Sequence, residues 1–118
     1  MTNDQSTIFL KKLIVIYRGN EVYNEEFHKR INVVRGEHSV GKTTILDLVF
    51  YILGGEIKKE QWQYPASECD YVYADFEFNE NPFCLKREII TDKVPAIDIR
   101  GGSYDNVKDV NDGWLNLG

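Results

Sequence analysis

Hydrophobic and polar positions in the first third of the chain predict paired strands. Residues 7–17 are rich in Ile, Leu, Val and Phe and predict a β-strand, and Arg18-Gly19-Asn20 is a turn signal. Residues 21–27 predict a returning strand that is polar enough to lie at a sheet edge. A second turn is predicted at His28-Lys29-Arg30, followed by a short strand over residues 31–35.

A helix is predicted over residues 43–53, where eleven residues run without a breaker into Gly54-Gly55. The length and the glycines that follow favour a helix with a glycine C-cap. Asp47 is the only charged residue inside it. A helix without a polar face must be covered on most sides, so we expect it to be buried between sheets or under other elements.

The second half of the chain predicts an antiparallel hairpin. Residues 70–78 alternate between apolar and polar positions, Asn79 to Pro82 forms a turn signal, and residues 83–90 predict the partner strand. The apolar face of the first strand comprises Val72, Ala74, Phe76 and Phe78. A third short strand is predicted at residues 96–100, and the tail after Ser103 has no clear period.

Composition narrows the class of protein. The 118 residues are 42% hydrophobic, which indicates one globular domain over residues 1–118. The net charge is −5 and no basic stripe stands out, so composition gives no support for nucleic-acid binding. No apolar run is long enough for a membrane span, and we expect a cytoplasmic protein. Cys69 and Cys84 make no metal pattern; reduced thiols are expected, with one disulfide as the alternative.

One motif carries specific chemistry. It consists of a glycine, four residues, then Gly, Lys and Thr, and it lies between a predicted β-branched strand and the predicted helix. The residues of the motif are Gly36, Glu37, His38, Ser39, Val40, Gly41, Lys42 and Thr43, with Thr44 directly after them. This order is typical of the phosphate loop (Walker A) that binds nucleoside triphosphates.

Each residue type in the motif suits polyphosphate. Backbone N–H groups of residues 37–44 can curl around the phosphates, and the following helix adds its unpaired N–H groups and the positive end of its dipole. The ammonium of Lys42 would meet the outer phosphates, the Thr43 hydroxyl would ligate Mg²⁺, and Thr44 would reach an inner phosphate oxygen. His38 and Ser39 would contribute mainly their amides. The sequence therefore predicts binding of ATP with Mg²⁺; the alternative is a glycine turn with a solvated lysine.

The residues around this loop resemble the N-terminal half of the ATPase head of the ABC-type SMC/RecF class. The resemblance rests on these segments: Tyr17-Arg18, Phe27, Ile31 to Val34, Gly36, Gly41 to Asp47, Leu53 to Gly55, and the later hairpin with Ala74, Phe76, Phe78 and Leu85 to Ile89. It covers roughly residues 8–100 and is most specific around the loop.

The resemblance implies a fold, an activity and partners. The fold would be α/β, a P-loop NTPase lobe with a mixed or antiparallel sheet region packed around the helix that follows the phosphate loop. Arg18 would lie near the nucleotide; the alternative is a turn residue. Two heads would sandwich two ATP molecules, and the complete assembly would commonly act on DNA.

Several family elements are absent from the sequence. There is no apolar run ending in Asp-Glu, no Ser-Gly-Gly signature segment and no suitable Gln loop. We therefore expect a fragment or one half of a split ATPase, with no catalytic residue of its own and little or no hydrolysis without a partner chain. Its candidate carboxylates, each expected to be solvated, are Asp70, Asp75, Glu77, Asp92 and Asp98.

Two other functions are compatible with the loop. One is a nucleotide-binding regulatory or assembly module without turnover, which the missing acidic pair favours. The other is a different phosphate-loop enzyme. A GTPase would need an Asn-Lys-x-Asp segment, which the chain lacks, and Arg87 and Arg100 are not arranged as the lid of a kinase.

Overall fold

The computed structural model describes residues 8–32, 43–57, 66–90 and 94–117. In these ranges the chain forms one six-stranded sheet with the strand order β2-β1-β3-β4-β5-β6. The strands are β1 (Ile8–Tyr17), β2 (Asn20–Asn32), β3 (Tyr71–Phe78), β4 (Asn81–Glu88), β5 (Ile97–Gly101) and β6 (Leu115–Asn116). Two short helices, α1 (Thr43–Ile52) and α2 (Tyr104–Val107), and a 3-10 turn at Ala66–Glu68 complete the described structure.

Every strand pair in this sheet is antiparallel. The expected α/β P-loop NTPase lobe is therefore wrong, because the described residues form mainly an antiparallel β-sheet with two short helices. Two-residue turns explain part of the topology. Arg18-Gly19 and Asn79-Glu80 all have positive φ, and such turns return a strand directly beside its predecessor.

A β-bulge at Lys11 sets which side chains of β1 face each side of the sheet. The register moves from Leu10↔Phe76 to Lys12↔Asp75, so Lys11 is an extra residue in β1. Leu10 and Leu13 are three residues apart, yet both are buried in the main core. An unbulged strand would have put them on opposite faces, since its side chains alternate.

The predicted turn at His28-Lys29-Arg30 does not end the strand. β2 runs continuously to Asn32, but its register with β1 jumps from Lys12↔Glu26 to Leu10↔Ile31. Four residues of β2, 27–30, therefore lie opposite Lys11 alone. The polar segment that suggested a turn is a wide irregularity within one long strand, and the separate strand predicted at residues 31–35 is wrong in its described part.

The two faces of the sheet carry separate cores. On the side that we call the α1 face, the helix α1 packs on side chains of β1, β3 and β4. The sheet residues of this core are Leu10, Leu13, Val15, Val72, Ala74, Phe76 and Leu85. On the opposite side, the α2 face, Tyr104 and Val107 of α2 pack on Ile14 and Cys84. The alternation predicted for residues 70–78 holds at Val72, Ala74 and Phe76, which are buried on the α1 face, whereas Asp75 on the other face is also buried and Phe78 is 37% exposed.

α1 forms where the sequence predicted a helix, and it ends before Gly54-Gly55 as expected. Its burial differs from the expectation. Leu48, Val49, Tyr51 and Ile52 are buried, whereas Phe50 is 55% exposed. In the described part of the chain a single sheet covers this helix, so one side of it faces outward. None of the helices described here is both long and apolar enough to cross a membrane.

Candidate functional site

The glycines and the lysine of the predicted phosphate loop, residues 36–42, lie outside the described residues. The described structure resumes at Thr43, which is the first residue of α1, and Thr44 is the second. The loop assignments of Gly36, Glu37, His38, Ser39, Val40, Gly41, Lys42, Thr43 and Thr44 therefore stay predictions.

The carboxyl end of α1 is fixed by a buried arginine, Arg87 of β4. The side chain of Arg87 is 3% exposed, and its Nη1 donates to the carbonyl oxygens of Tyr51 (2.7 Å) and Gly55 (2.8 Å). Its Nε donates to the Pro95 carbonyl oxygen at 3.0 Å. Of these three carbonyls only that of Tyr51 belongs to α1, where it also accepts from the Gly54 N–H. A cation at the last turn of the helix opposes the negative end of the helix dipole.

Tyr51 completes this attachment. The guanidinium of Arg87 lies 4.1 Å from the centre of the Tyr51 ring, and the Tyr51 hydroxyl donates to the Glu88 carbonyl oxygen at 2.7 Å. Burial raises the pKa of the Tyr51 hydroxyl, while the charge of Arg87 acts in the opposite direction. α1 is thus tied to β4 through both its backbone and a side chain.

Strand registers place Asn32, the last residue of β2, and the carboxyl end of α1 at opposite ends of the sheet. Asn32, the last described residue before residues 33–42, is paired with Phe9 near the start of β1. The carbonyl groups bound by Arg87 lie at the other end, since Val72, the cross-strand partner of Arg87, is also paired with Val15 near the end of β1. We call the end of the sheet near Phe9 and Asn32 the loop end. We call the end near Val15 and Arg87 the Arg18 end.

Arg18 directly follows β1, at the end of the sheet where α1 ends. The phosphate loop lies at the other end of α1 in the sequence, before its first residue. The backbone N–H of Arg18 donates to the Asp70 carboxylate at 2.7 Å, and its guanidinium lies 5.2 Å from the centre of the Tyr17 ring. These contacts support the turn-residue alternative. A role for Arg18 toward a nucleotide stays a prediction.

One of the candidate carboxylates, Asp75, differs from the expected solvation, whereas Asp70, Glu77 and Asp98 are partly exposed. Asp75 is 7% exposed and accepts a hydrogen bond from the backbone N–H of Tyr104 at 2.7 Å, which caps α2 from a neighbouring strand. Burial raises the pKa of Asp75. The Asp70 carboxylate accepts a hydrogen bond from the backbone N–H of Arg18 in the β1–β2 turn. Asp92 lies outside the described residues. In the ranges that the structure describes, no three His, Cys, Asp or Glu side chains form a group suited to a metal ion.

A second polar cluster joins α2 to the strands β1 and β2. The Tyr104 hydroxyl donates to Glu21 at 2.7 Å, and Lys12 forms an ion pair with Asp105 at 3.3 Å. Hydrogen bonds from Tyr104 and Asn24 lower the pKa of Glu21. The bulge at Lys11 is what brings Lys12 beside Asp75 on this face. The cluster anchors α2 to the edge strand β2.

Cys69 and Cys84 form no disulfide, as expected from the sequence, and both are buried. Burial raises the pKa of Cys69 and of Cys84, and the neighbouring Asp75 carboxylate raises that of Cys84 further. A thiol must ionise to act as a nucleophile, so neither environment suits catalysis.

An apolar groove lies on the α1 face at the loop end of the sheet. Its volume is about 520 Å³, and its walls come from the first residue of β1, the β3–β4 turn region, β5 and β6. The large apolar residues in its walls are Ile8, Phe78, Phe83, Ile99 and Leu115. Sequence reasoning did not find this groove, because its walls come from five strands that only the sheet topology brings together.

Comparisons of the chain with protein-family models, with curated proteins and with solved structures found no match. The resemblance to SMC/RecF-class heads therefore rests on the quoted residues alone and stays a prediction.

Proposed function

We propose that this chain binds ATP with Mg²⁺ through residues 36–44 and serves as the nucleotide-binding component of a larger ATPase. The observation that carries the proposal is that the residues directly after the motif form a helix, the element that follows a phosphate loop. The phosphate-loop pattern ends at Thr43, and α1 begins at that same residue. The proposal concerns this loop and helix, and it does not depend on an α/β lobe.

The fixed carboxyl end of α1 gives the helix a defined direction. Arg87 holds that end to β4, and Leu48, Tyr51 and Ile52 bury one side of the helix on the sheet. A helix of ten residues is marginal alone, so its persistence depends on this packing. The amino end of such a helix carries unpaired N–H groups, and in the sequence it directly follows the motif that contains Lys42.

In the proposed site each group has one task. The amides of residues 37–44 and the ammonium of Lys42 would bind the phosphate oxygens, and the Thr43 hydroxyl would hold Mg²⁺. Magnesium, when bound, neutralises charge that develops between the outer phosphates. These groups bind and orient the triphosphate, while the acid that positions water would come from a partner chain.

The contacts of Asp70 and Asp75 favour binding without turnover by this chain alone. One carboxylate holds the β1–β2 turn and the other caps α2, so both already serve the fold. A cytoplasmic location, a second ATPase lobe in a head-to-head pair and association with DNA are further parts of the proposal. They are supported by the sequence resemblance and not by any contact described above.

Isothermal titration with Mg·ATP tests the binding. The wild-type chain should release or absorb heat with a saturating single-site curve, and Lys42→Ala should weaken affinity by at least about tenfold. Lys108→Ala, which removes an exposed lysine beside α2, is the matched control and should bind as the wild type does. A folded wild-type protein that shows no binding would refute the proposal.

Turnover separates the enzyme component from the regulatory module. The chain alone should hydrolyse Mg·ATP little or not at all, and addition of a partner with the acidic pair and the signature segment should raise the rate. A rate that stays at background with the partner bound supports the non-hydrolysing module.

A further inference from the structure

The residues between Gly102 and Gly113 cross the α2 face of the sheet, and we call residues 103–112 the flap. The backbone–backbone hydrogen bonds that the described structure gives the flap all stay within it, as in the Val107 N–H that donates to the Ser103 carbonyl oxygen at 3.1 Å. The strands beneath it are joined to one another by backbone pairing. The flap is therefore attached to the sheet through side chains and not through a backbone ladder.

Each of five neighbouring strands, in the sheet order β2-β1-β3-β4-β5, contacts the flap through a side chain. Four of the contacts are polar: Glu21 with the Tyr104 hydroxyl, Lys12 with Asp105, Asp75 with the Tyr104 N–H, and Arg100 with the Asp112 carbonyl oxygen. On β4 the contact is apolar, since Cys84 has no exposed surface and packs with Tyr104 and Val107. The Cys84 thiol and the Asp75 carboxylate are thus covered by one segment.

Glycines bound the flap at both ends. Gly102 has φ +105° and Gly113 has φ +83°, a left-handed region that residues with side chains rarely adopt. The Gly102 N–H donates to the Pro82 carbonyl oxygen at 3.1 Å, which fixes the first glycine to the sheet. The helix α2 has four residues, and a helix of that length does not persist without tertiary contacts. The flap is a short unit between two permissive backbone positions.

Arg100 gives the closed flap a local cost. It is the cross-strand partner of Cys84 and so lies on the α2 face, where its Nη1 donates to the Asp112 carbonyl oxygen at 2.5 Å. The Nε–H of Arg100 is buried and has no hydrogen-bond partner within the described ranges. An unpaired buried donor is costly, and movement of the flap would expose this donor to water.

We propose that residues 103–112 open as one unit on Gly102 and Gly113 while the sheet stays folded, and that opening uncovers the Cys84 thiol. Segments held by few buried contacts open at a lower free energy than the whole domain does. The closed flap covers a patch of Ile14, Asp75 and Cys84, and the open flap presents it. The proposal is independent of the phosphate loop, because α1 packs on the opposite face of the sheet.

Thiol labelling of the full chain at increasing urea concentrations tests the proposal. Iodoacetamide labels a buried thiol only after it becomes exposed, and chymotryptic peptides separate Cys84 from Cys69 because aromatic residues lie between them. Opening of the flap exposes little surface, so the labelling rate of Cys84 should rise much less steeply with urea than global unfolding does. A Cys84 rate with the same urea dependence as global unfolding, followed by circular dichroism, would overturn the proposal.

The variant Tyr104→Phe weakens the closed flap, since it removes the hydroxyl that donates to Glu21 and keeps the N–H that donates to Asp75. It should raise the labelling rate of Cys84 about fivefold and leave that of Cys69 unchanged. Tyr71→Phe is the matched control, because Tyr71 lies on the same face but its ring contacts Tyr73 and Lys86 and not the flap. An equal rise at both cysteines in Tyr104→Phe would show that no separate opening occurs.

The variant Gly102→Ala tests the hinge without changing a polar contact. A side chain at φ +105° strains the closed conformation, so Cys84 should again be labelled about tenfold faster, with Cys69 as the internal reference. Cys84 rates that equal the wild-type rate in both Gly102→Ala and Tyr104→Phe would contradict the opening of the flap.

Discussion

Arg87 and Tyr51 join the sheet to α1 through two different contacts between the same pair of residues. The guanidinium donates to the Tyr51 backbone carbonyl at 2.7 Å and also lies 4.1 Å from the centre of the Tyr51 ring. Because Arg87 also reaches Gly55 and Pro95, one buried side chain holds three backbone segments together.

Replacement of Arg87 should therefore destabilise the fold strongly. Arg87→Met keeps much of the apolar stem but leaves three carbonyl oxygens without their donor, and we expect a loss of about 2–4 kcal/mol in the free energy of unfolding. Arg87→Lys should recover only part of this loss, because an ammonium lacks the planar fork of donors. Urea unfolding followed by circular dichroism measures both values.

The adjacent Lys86 provides the control for Arg87. Its ammonium lies on the α2 face, 5.2 Å from the Tyr71 ring centre and 5.3 Å from that of Trp114, and it is only partly buried. Lys86→Met should cost about 1 kcal/mol or less, the range of a partly exposed cation–π contact. Equal losses for the Lys86 and Arg87 variants would contradict the anchoring role of Arg87.

Asp75 should give the fold a measurable pH dependence. Burial is the largest influence and raises its pKa above the ordinary 3.8, although the hydrogen bond from the Tyr104 N–H acts against it. The folded state therefore holds the Asp75 proton more tightly than the unfolded state does. The resulting stabilisation is complete below pH 3.8 and is lost as the pH rises through the raised pKa of the folded state.

The variant Asp75→Asn tests this direction, since its amide oxygen can still accept from Tyr104. Between about pH 3 and pH 7 the wild type should lose stability relative to Asp75→Asn. Glu77→Gln, on the same strand and less buried, serves as the control for general charge effects. If the wild type instead gained stability relative to Asp75→Asn as the pH rises over this range, the hydrogen bonds to Asp75 would affect its pKa more than burial does.

Tyr104 and Glu21 allow a direct test at a single titrating group. The Tyr104 hydroxyl is the largest of the influences that lower the pKa of Glu21 from its ordinary 4.5. In Tyr104→Phe that donor is gone, so the pKa of Glu21 should move upward, as observed by NMR titration of its side-chain carboxyl carbon. Asn24→Ala removes the second donor and should produce a smaller upward shift; an unchanged value in Tyr104→Phe would exclude the contact in solution.

In the β3–β4 turn, replacement of Glu80 by glycine should increase the stability of the fold. Glu80 has φ +67°, a left-handed conformation that costs a residue with a side chain about 1–2 kcal/mol. Glu80→Gly creates the Asn-Gly pair that two-residue hairpins of this type favour, and it should raise the free energy of unfolding by about 1 kcal/mol. Thermal and urea unfolding would detect the gain.

The β1–β2 turn offers the converse substitution. Gly19 has φ +80° and no atom within 4 Å of the position a side chain would take, so Gly19→Ala changes backbone strain without a collision. It should lower stability by about 1 kcal/mol. A loss at Gly19 without a gain at Glu80 would mean that the Glu80 side chain makes a compensating contact.

Local pattern predicted most individual elements but not their arrangement. The strands β1 and β3, the helix α1 and the β3–β4 hairpin follow directly from alternation, turn residues and terminal glycines. The two antiparallel hairpins were predicted, but the fold class was wrong because the resemblance to an α/β ATPase was given more weight than these hairpins. Their turns, at Arg18-Gly19 and Asn79-Glu80, are short enough to require antiparallel neighbours.

The buried polar residues could not be found from the sequence for a different reason. Nothing near Arg87 in the chain shows that the carbonyls of α1 will meet it, since the two segments are 36 residues apart. Asp75 stands in a polar position of an alternating strand, which normally faces water, until α2 covers it from 29 residues away. Long-range contact, not local pattern, decides the environment of both groups.

Because Lys11 is an extra residue, the side chains of β1 alternate between the two faces of the sheet in one phase before Lys11 and in the opposite phase after it. Deletion of Lys11 would give β1 one regular alternation along its whole length. If the residues after Lys11 kept their positions, the side chains before it would move to the opposite face of the sheet, and the reverse would hold if the residues before it kept theirs. Ile8 and Leu10 would then turn away from the core, or Leu13 and Val15 would do so instead. Length changes at this point of the chain are therefore far more disruptive than most substitutions, and relatives of this protein should conserve the spacing between Leu10 and Leu13 more strictly than the identity of the residues between them.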